Sequence, residues 1–276
     1  MAVNARLLLP YLMGQRRDGL GRLAELDRHP WEVLSLDPQP EARIDDPVAK
    51  LRSLGRLNAL LATRVDALVR EGHRPVSVAG DCVSSLGMLA GLQRAGRSPD
   101  RVVWLDAHGD FHTWSTTTTQ YIGGMPLAMF VGRVDDGPDA RSEATRACLA
   151  AIGVRPYPPR QVVLADARDL DPDEREPLLG SGILRCALDD VPRHLGPRER
   201  IHLHWDTDVI DDPQRLPALK YHVRHGPSAA DVAALMRDLR AFDIVAVSVS
   251  AWHPEQDGDD RTARACLEIL DALFGG

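Results

Sequence analysis

Two stretches concentrate side chains able to bind cations or move protons. "DAHGD" carries Asp106, His108 and Asp110, and "DTDVIDD" opens on Asp206 and Asp208. Each follows a short apolar run, "RVVWL" and "RIHLHW" respectively. Side chains alternate across a strand, so Asp106, His108 and Asp110 share one side while the chain stays extended, as do Asp206 and Asp208. Four carboxylates and an imidazole at strand ends repel one another, and a buried unpaired carboxylate is costly unless it takes up a proton. Two divalent cations sharing these ligands remove the penalty. A carboxylate-rich set with one imidazole suits Mn²⁺ better than a thiolate-type zinc site. The competing reading has the acids capping helices or pairing with surface arginines; two such motifs behind two apolar runs disfavour it.

The elements that must position these groups alternate between strand-like runs and helical patterns, which predicts an α/β fold. "RLLLPYLM" (6–13), "PVSVAG" (75–80), "RVVWLD" (101–106), "QVVLAD" (161–166), "RIHLHW" (200–205) and "DIVAVSVS" (243–250) read as strands. Asp46 offers an N-cap with Pro47 behind it, Leu51, Leu54, Leu57, Leu61, Val65 and Leu68 follow at helical spacing, and Gly72 closes the helix. Further helices are expected around 84–95, 227–240 and 259–274. The irregular stretches 107–126 and 206–226 are loops of the kind that carry function at strand ends. The chain reads as one doubly wound domain over 1–276.

With these motifs in place, the sequence resembles the ureohydrolase (arginase and agmatinase) superfamily over most of its length. Asp-Ala-His-x-Asp matches 106–110 and Asp-x-Asp-x-x-Asp matches 206–211. "ARDLDPDE" (167–174) and "GGMPLA" (123–128) are close to two further family segments. The resemblance implies a three-layer α/β/α sandwich with a mainly parallel sheet, in a homo-oligomer. It also implies two Mn²⁺ bridged by a hydroxide that attacks a guanidinium carbon. Asp106, His108, Asp110, Asp206 and Asp208 would be metal ligands, and Asp110 would also accept a hydrogen bond from the hydroxide. His112 and Thr119 would hold a substrate α-carboxylate, and Asp171 and Glu174 its α-amino group; "DLDPDE" is equally a helix-start signal.

Three departures bear on the substrate. Cys82 in "AGDCVSS" stands where the family has its remaining histidine ligand. It is either a thiolate ligand or a small buried thiol. Gly123 stands where the family has a proton-shuttling histidine, leaving His112, His253 or bulk water to protonate the leaving nitrogen. Ala251 stands where the family glutamate pairs with the guanidinium, so plain arginine and agmatine are disfavoured. The Cys-for-His and Gly-Gly-Met combination resembles the branch that cleaves Nω-hydroxy-L-arginine to hydroxyurea and ornithine, and a hydroxyguanidine can bind uncharged. The implied activity is a di-manganese hydrolase of a guanidino or amino-acid-like small molecule. The alternatives are a non-catalytic metal-binding member of the fold and a single-zinc, deacetylase-like amide hydrolase.

Composition fits this picture. A net charge of −7 without a Lys/Arg run disfavours nucleic acid as a partner. No stretch approaches the roughly 18 apolar residues of a membrane span. The N-terminal stretch lacks the marks of a signal peptide, and Cys82, Cys148, Cys186 and Cys266 form no CxxC pair, so a cytoplasmic chain with free thiols is expected. Trp104 and Trp205 are expected in the core, and Trp114 and Trp252 either wall a pocket or pack ordinarily. His202 and His204 are read as hydrogen-bonded core histidines in preference to partners of a metal ligand.

Overall fold

The computed structural model describes residues 2–38 and 44–275. Eight strands form one parallel sheet: β1 Asn4–Leu9, β2 Trp31–Val33, β3 Arg74–Ala79, β4 Arg101–His108, β5 Val162–Asp169, β6 Leu184–Cys186, β7 Arg200–Asp206 and β8 Asp243–Ser250. Their order across the sheet is β2-β1-β3-β8-β7-β4-β5-β6. Six longer helices accompany them: α1 Pro47–Arg70, α2 Ser84–Arg94, α3 Ala140–Ile152, α4 Pro172–Gly180, α5 Ala229–Asp238 and α6 Arg261–Phe274. The expected α/β/α sandwich is what the chain forms. No helix among the described residues is long and apolar enough to cross a membrane.

Helices cover both faces, which is why the central strands are continuous apolar runs rather than alternating ones. Residues 201–206 of β7 are buried without exception. Trp104 packs with Leu51, Leu54, Leu86 and Cys148 on the α1–α2–α3 side, and Trp205 packs with Val232, Met236, Ile269 and Leu270 on the α5–α6 side. Both indoles are fully buried, as expected.

Helix α1 starts as its sequence dictates: the Asp46 side chain accepts the amide of Ala49 at 2.9 Å, with Pro47 at the first helical position. Helix α3 lies outside the periodicity-based expectation. Its buried face includes Ser142 and Thr145 alongside Cys148 and Ile152, so hydrophobic spacing does not reveal it. Its ends are nonetheless written in the chain, with Asp139 capping the amides of Arg141 and Ser142 and Gly153 closing it at φ 72°. The short edge strands β2 and β6 also escape the apolar pattern, being largely exposed.

The sheet order sets the site. The chain leaves β3 and re-enters at β4 beyond two intervening strands, β8 and β7. The carboxyl ends of β3, β8, β7 and β4 therefore adjoin, and such a crevice is where an open α/β sheet binds its ligand. At the end of β3 the turn passes under an N-terminal hairpin formed by Tyr11–Leu12 and Gln15–Arg16. The Gly80 amide donates to the Tyr11 carbonyl at 2.8 Å, and a Cβ on Gly80 would lie 2.3 Å from that oxygen. We predict that Gly80→Ala, by forcing the turn that carries Asp81 and Cys82 away from the hairpin, lowers unfolding stability by about 1–3 kcal/mol. Urea denaturation checks this, and divalent-cation affinity should weaken in the same variant.

Candidate metal centre and substrate cavity

The end of β4 is irregular where it becomes acidic. Its register with β5 slips between Asp106 and His108, and Asp110 adopts a left-handed φ of 50°. A non-glycine residue held there is a mark of local constraint. Gly109 has no room for a side chain, since a Cβ would lie 2.7 Å from a Glu174 carboxylate oxygen. The kink turns Asp110 back into the fold, where it is buried with one carboxylate oxygen lacking any partner.

Around it the other predicted ligands converge. His108 Nδ1 lies 3.4 Å from Asp106 and 3.3 Å from Asp208. Cys82 Sγ lies 2.7 Å from Asp206 Oδ2. The ligand atoms of Cys82, Asp106 and Asp110 fall within 4.8 Å of one another, as do those of Asp106, His108 and Asp208. The two groups share Asp106, which is the arrangement two neighbouring cations need. Backbone and indole donors hold the carboxylates in place: Asp106 accepts from the His108 amide at 2.8 Å and from Trp104 Nε1 at 3.1 Å, and Asp206 accepts from the Asp208 amide at 3.1 Å.

Electrostatics fit a cation-binding set. Burial, and then the charges of Asp106 and Asp206, push the Asp110 carboxyl well above its ordinary range; burial with Asp206 and Asp106 does the same to Asp208. Burial also raises the Cys82 thiol, reinforced by Asp206, Asp110 and Asp106. Burial works against a charged His108, but Asp106 and Asp208 overcome it and raise the imidazole to about 12. Burial and like charge thus oppose full ionisation of these acids, and the Asp110 oxygen without a partner is free to meet a ligand. Carboxylates with one imidazole and one thiol are a donor set that fits divalent cations.

These groups form one wall of a cavity of about 340 Å³. His112, Thr119, Asp171 and Glu174 line the same space. His112 is oriented by Thr116 at 3.2 Å and Asp171 at 3.1 Å. Glu174 is largely engaged by backbone, accepting the amides of Phe111 at 3.1 Å and Asp171 at 3.3 Å, the second within a capping box that starts α4. The helix-start reading of "DLDPDE" is therefore realised alongside its position in the cavity. Trp114 and Trp252 pack ordinarily: neither lines this cavity, and the Trp114 indole is bound to Thr145 at 2.8 Å. His253 also lies outside the lining. His202 and His204 both contact Ser248 Oγ, at 2.9 and 2.8 Å, as buried core histidines. Burial lowers each to about 3, so both are neutral. Asp211 is turned to a structural task, accepting from His222 at 2.6 Å and from the His225 amide at 2.6 Å.

Sequence reasoning passed over Tyr121, Lys220 and Tyr221, which line the cavity from irregular loops without periodicity; Ser250, at the end of a strand read as core, lines it as well. Tyr121 accounts for the small residue at 123, where the resemblance led a histidine to be expected. A Cβ on Gly123 would lie 2.1 Å from Tyr121 Cε1, so the phenol occupies the volume of a side chain at 123.

The family model described as "Arginase family" matches residues 25–275. The arginase of Bacillus caldovelox is 27% identical over 303 residues, covering 97% of this chain and 96% of that one. The Nω-hydroxy-L-arginine amidinohydrolase of Streptomyces lavendulae is 29% identical over 250 residues, covering 86% and 81%. The solved structure of arginase from Bacillus subtilis superposes with a TM-score of 0.77 at 26% identity, over 99% of each chain.

Two outcomes follow from this geometry. Gly123→His alone should destabilise the protein by about 1–3 kcal/mol because the Tyr121 ring must leave, and adding Tyr121→Ala should recover much of the loss. A double-mutant cycle in urea measures both. The metal-free protein should lose stability as pH rises between about 7 and 9. His108 contributes stability that is full below the unfolded imidazole's pKa near 6.5 and is lost as pH climbs toward the folded value of about 12. Each retained proton gives a slope of up to about 1.4 kcal/mol per pH unit. Saturating Mn²⁺ should flatten that slope, since bound cations replace the protons. A chelator-treated sample that is most stable at the alkaline end would contradict this account.

Proposed function

This chain belongs to the arginase family and as such is a metal-dependent hydrolase of amidino C–N bonds; we propose that it acts, with two manganese ions, on a modified guanidino compound of the Nω-hydroxy-L-arginine type. The observation that carries the reading is the pair of ligand groups sharing Asp106, set into the same cavity as an amino-acid-sized array of polar groups. The S. lavendulae amidinohydrolase supports the choice of substrate.

Cys82, Asp106, Asp110 and Asp206 would hold one cation, and Asp106, His108, Asp208 and Asp206 the other. When bound, such a pair lowers the pKa of water and stabilises negative charge developing at the guanidine carbon. Asp110 acts on the nucleophile, its unpartnered oxygen accepting a hydrogen bond from the attacking water and so directing a lone pair at the carbon. Thr119 donates to the substrate α-carboxylate, and His112, held on one side by Thr116, does so on exchanging its Asp171 contact for the substrate. Asp171 and Glu174 face its α-ammonium group. The water oxygen joins the guanidine carbon, the C–N bond to the side chain breaks, and a proton from water ends on the departing amine. For Nω-hydroxy-L-arginine the products are ornithine and hydroxyurea.

Protein dialysed with Mn²⁺ should carry two manganese per chain by plasma mass spectrometry and release hydroxyurea from Nω-hydroxy-L-arginine. Asp110→Asn should lower that rate by roughly 10²-fold or more. Failure of the loaded protein to release urea or hydroxyurea from any guanidino compound would sink the proposal.

A further inference from the structure

Lys220 is a buried cation that the catalytic scheme above leaves without a task. It lies in the loop after the Asp206–Asp208 turn, only 4% exposed, yet it lines the cavity beside Cys82, Asp206 and Asp208. A buried ammonium is expensive unless its environment needs it. Its Nζ donates to the Gly80 carbonyl at 2.5 Å and to Ser250 Oγ at 3.4 Å, so a carbonyl and a hydroxyl hold it. An ammonium has three N–H donors, and these two contacts leave one for the cavity. The backbone at both anchors is itself fixed: Gly80 by the hairpin carbonyl of Tyr11, Ser250 by the end of β8.

Two divalent cations would offset the four ligand carboxylates, leaving Asp81 and Cys82 as the acids beside Lys220, whose ammonium stays a positive charge on the cavity wall. A guanidinium ion approaching the same wall meets like charge at close range in a poorly screened space. A guanidine that carries no charge meets none, and an oxygen on its terminal nitrogen can accept the spare N–H.

We propose that Lys220 is the specificity-determining residue of this cavity, donating a hydrogen bond to the oxygen substituent of an uncharged N-oxygenated guanidine and repelling an unsubstituted guanidinium. This rests on a guanidino compound being the ligand, as argued above. Ser250 and Gly80 act as positioning groups that aim the ammonium. A purely structural lysine would leave ligand selectivity untouched when replaced.

The test compares manganese-loaded full-length protein with its Lys220→Met and Lys220→Arg variants, using Nω-hydroxy-L-arginine and L-arginine. Two readouts are taken: the ratio of kcat/KM values, and the shift in melting temperature each compound produces at pH 7. The wild type should favour the hydroxylated compound in both, and Lys220→Met should reduce the kcat/KM ratio at least tenfold, mainly through KM. Lys220→Arg should retain part of the preference. If Lys220→Met fails to fold, wild-type melting shifts still decide, because equal stabilisation by the two compounds overturns the assignment. Hydroxyurea release with an unchanged ratio in Lys220→Met would overturn the role of Lys220 and leave the hydrolase reading standing. Lys220-dependent melting selectivity without hydrolysis of either compound would uphold Lys220 and remove the catalytic reading.

Discussion

Five carboxylates, those of Asp81, Asp106, Asp110, Asp206 and Asp208, are buried at the carboxyl edge of one sheet near two cationic side chains, His108 and Lys220. That imbalance is the constraint on which the rest of the architecture depends. Apolar burial elsewhere must outweigh the electrostatic cost of the cluster, and the sheet must hold the acids close without letting them part. Burial and mutual repulsion raise Asp110 and Asp208 above the ordinary carboxylate range, while Asp106 and Asp208 hold His108 charged.

The surrounding structure reads as a set of restraints on that edge. Asp81 is fixed by the amide of Met13 at 2.6 Å, which ties the turn carrying Cys82 to the N-terminal hairpin. Arg168, paired with Asp166, reaches across to the carbonyls of Val209 and Val223, at 3.0 and 2.7 Å, and so fastens the loop that carries Lys220 to β5. Glu174 pins the Asp110–Phe111 segment from below through the Phe111 amide. Each restraint joins segments distant in sequence, so the geometry of the acids belongs to the whole sheet edge.

Within the family framework, the replaced residues are connected in space. Tyr121 takes the volume left at Gly123, and its ring lies 5.6 Å from that of Tyr221, the neighbour of Lys220. Lys220 in turn reaches Ser250, next to the Ala251 position, and Gly80, two residues before Cys82. Cys82 and Gly123 therefore share the cavity lining with Lys220, and the Ala251 position touches it only through its neighbour Ser250. Ala251 itself is fully buried and does not line the cavity.

The sequence by itself determined the six longer sheet-forming segments, the capped helix α1 and the acidic motifs, because these follow from periodicity, caps and spacing within a few residues. Asp106, His108 and Asp110 were legible as a group from their spacing, although a kinked strand end with Asp110 at φ 50°, and not the strand alternation expected, brings Asp110 to the others. Helix α3 was less so, since its buried face carries Ser142 and Thr145, and Tyr121, Lys220 and Tyr221 were not legible as cavity residues at all. Only the tertiary structure could decide those, as well as which acids face one another and that Asp211 serves a loop. Strand order brings β3, β8, β7 and β4 side by side, and a burial-driven contact between residues more than a hundred positions apart, such as Lys220 and Gly80, leaves no local pattern in the chain.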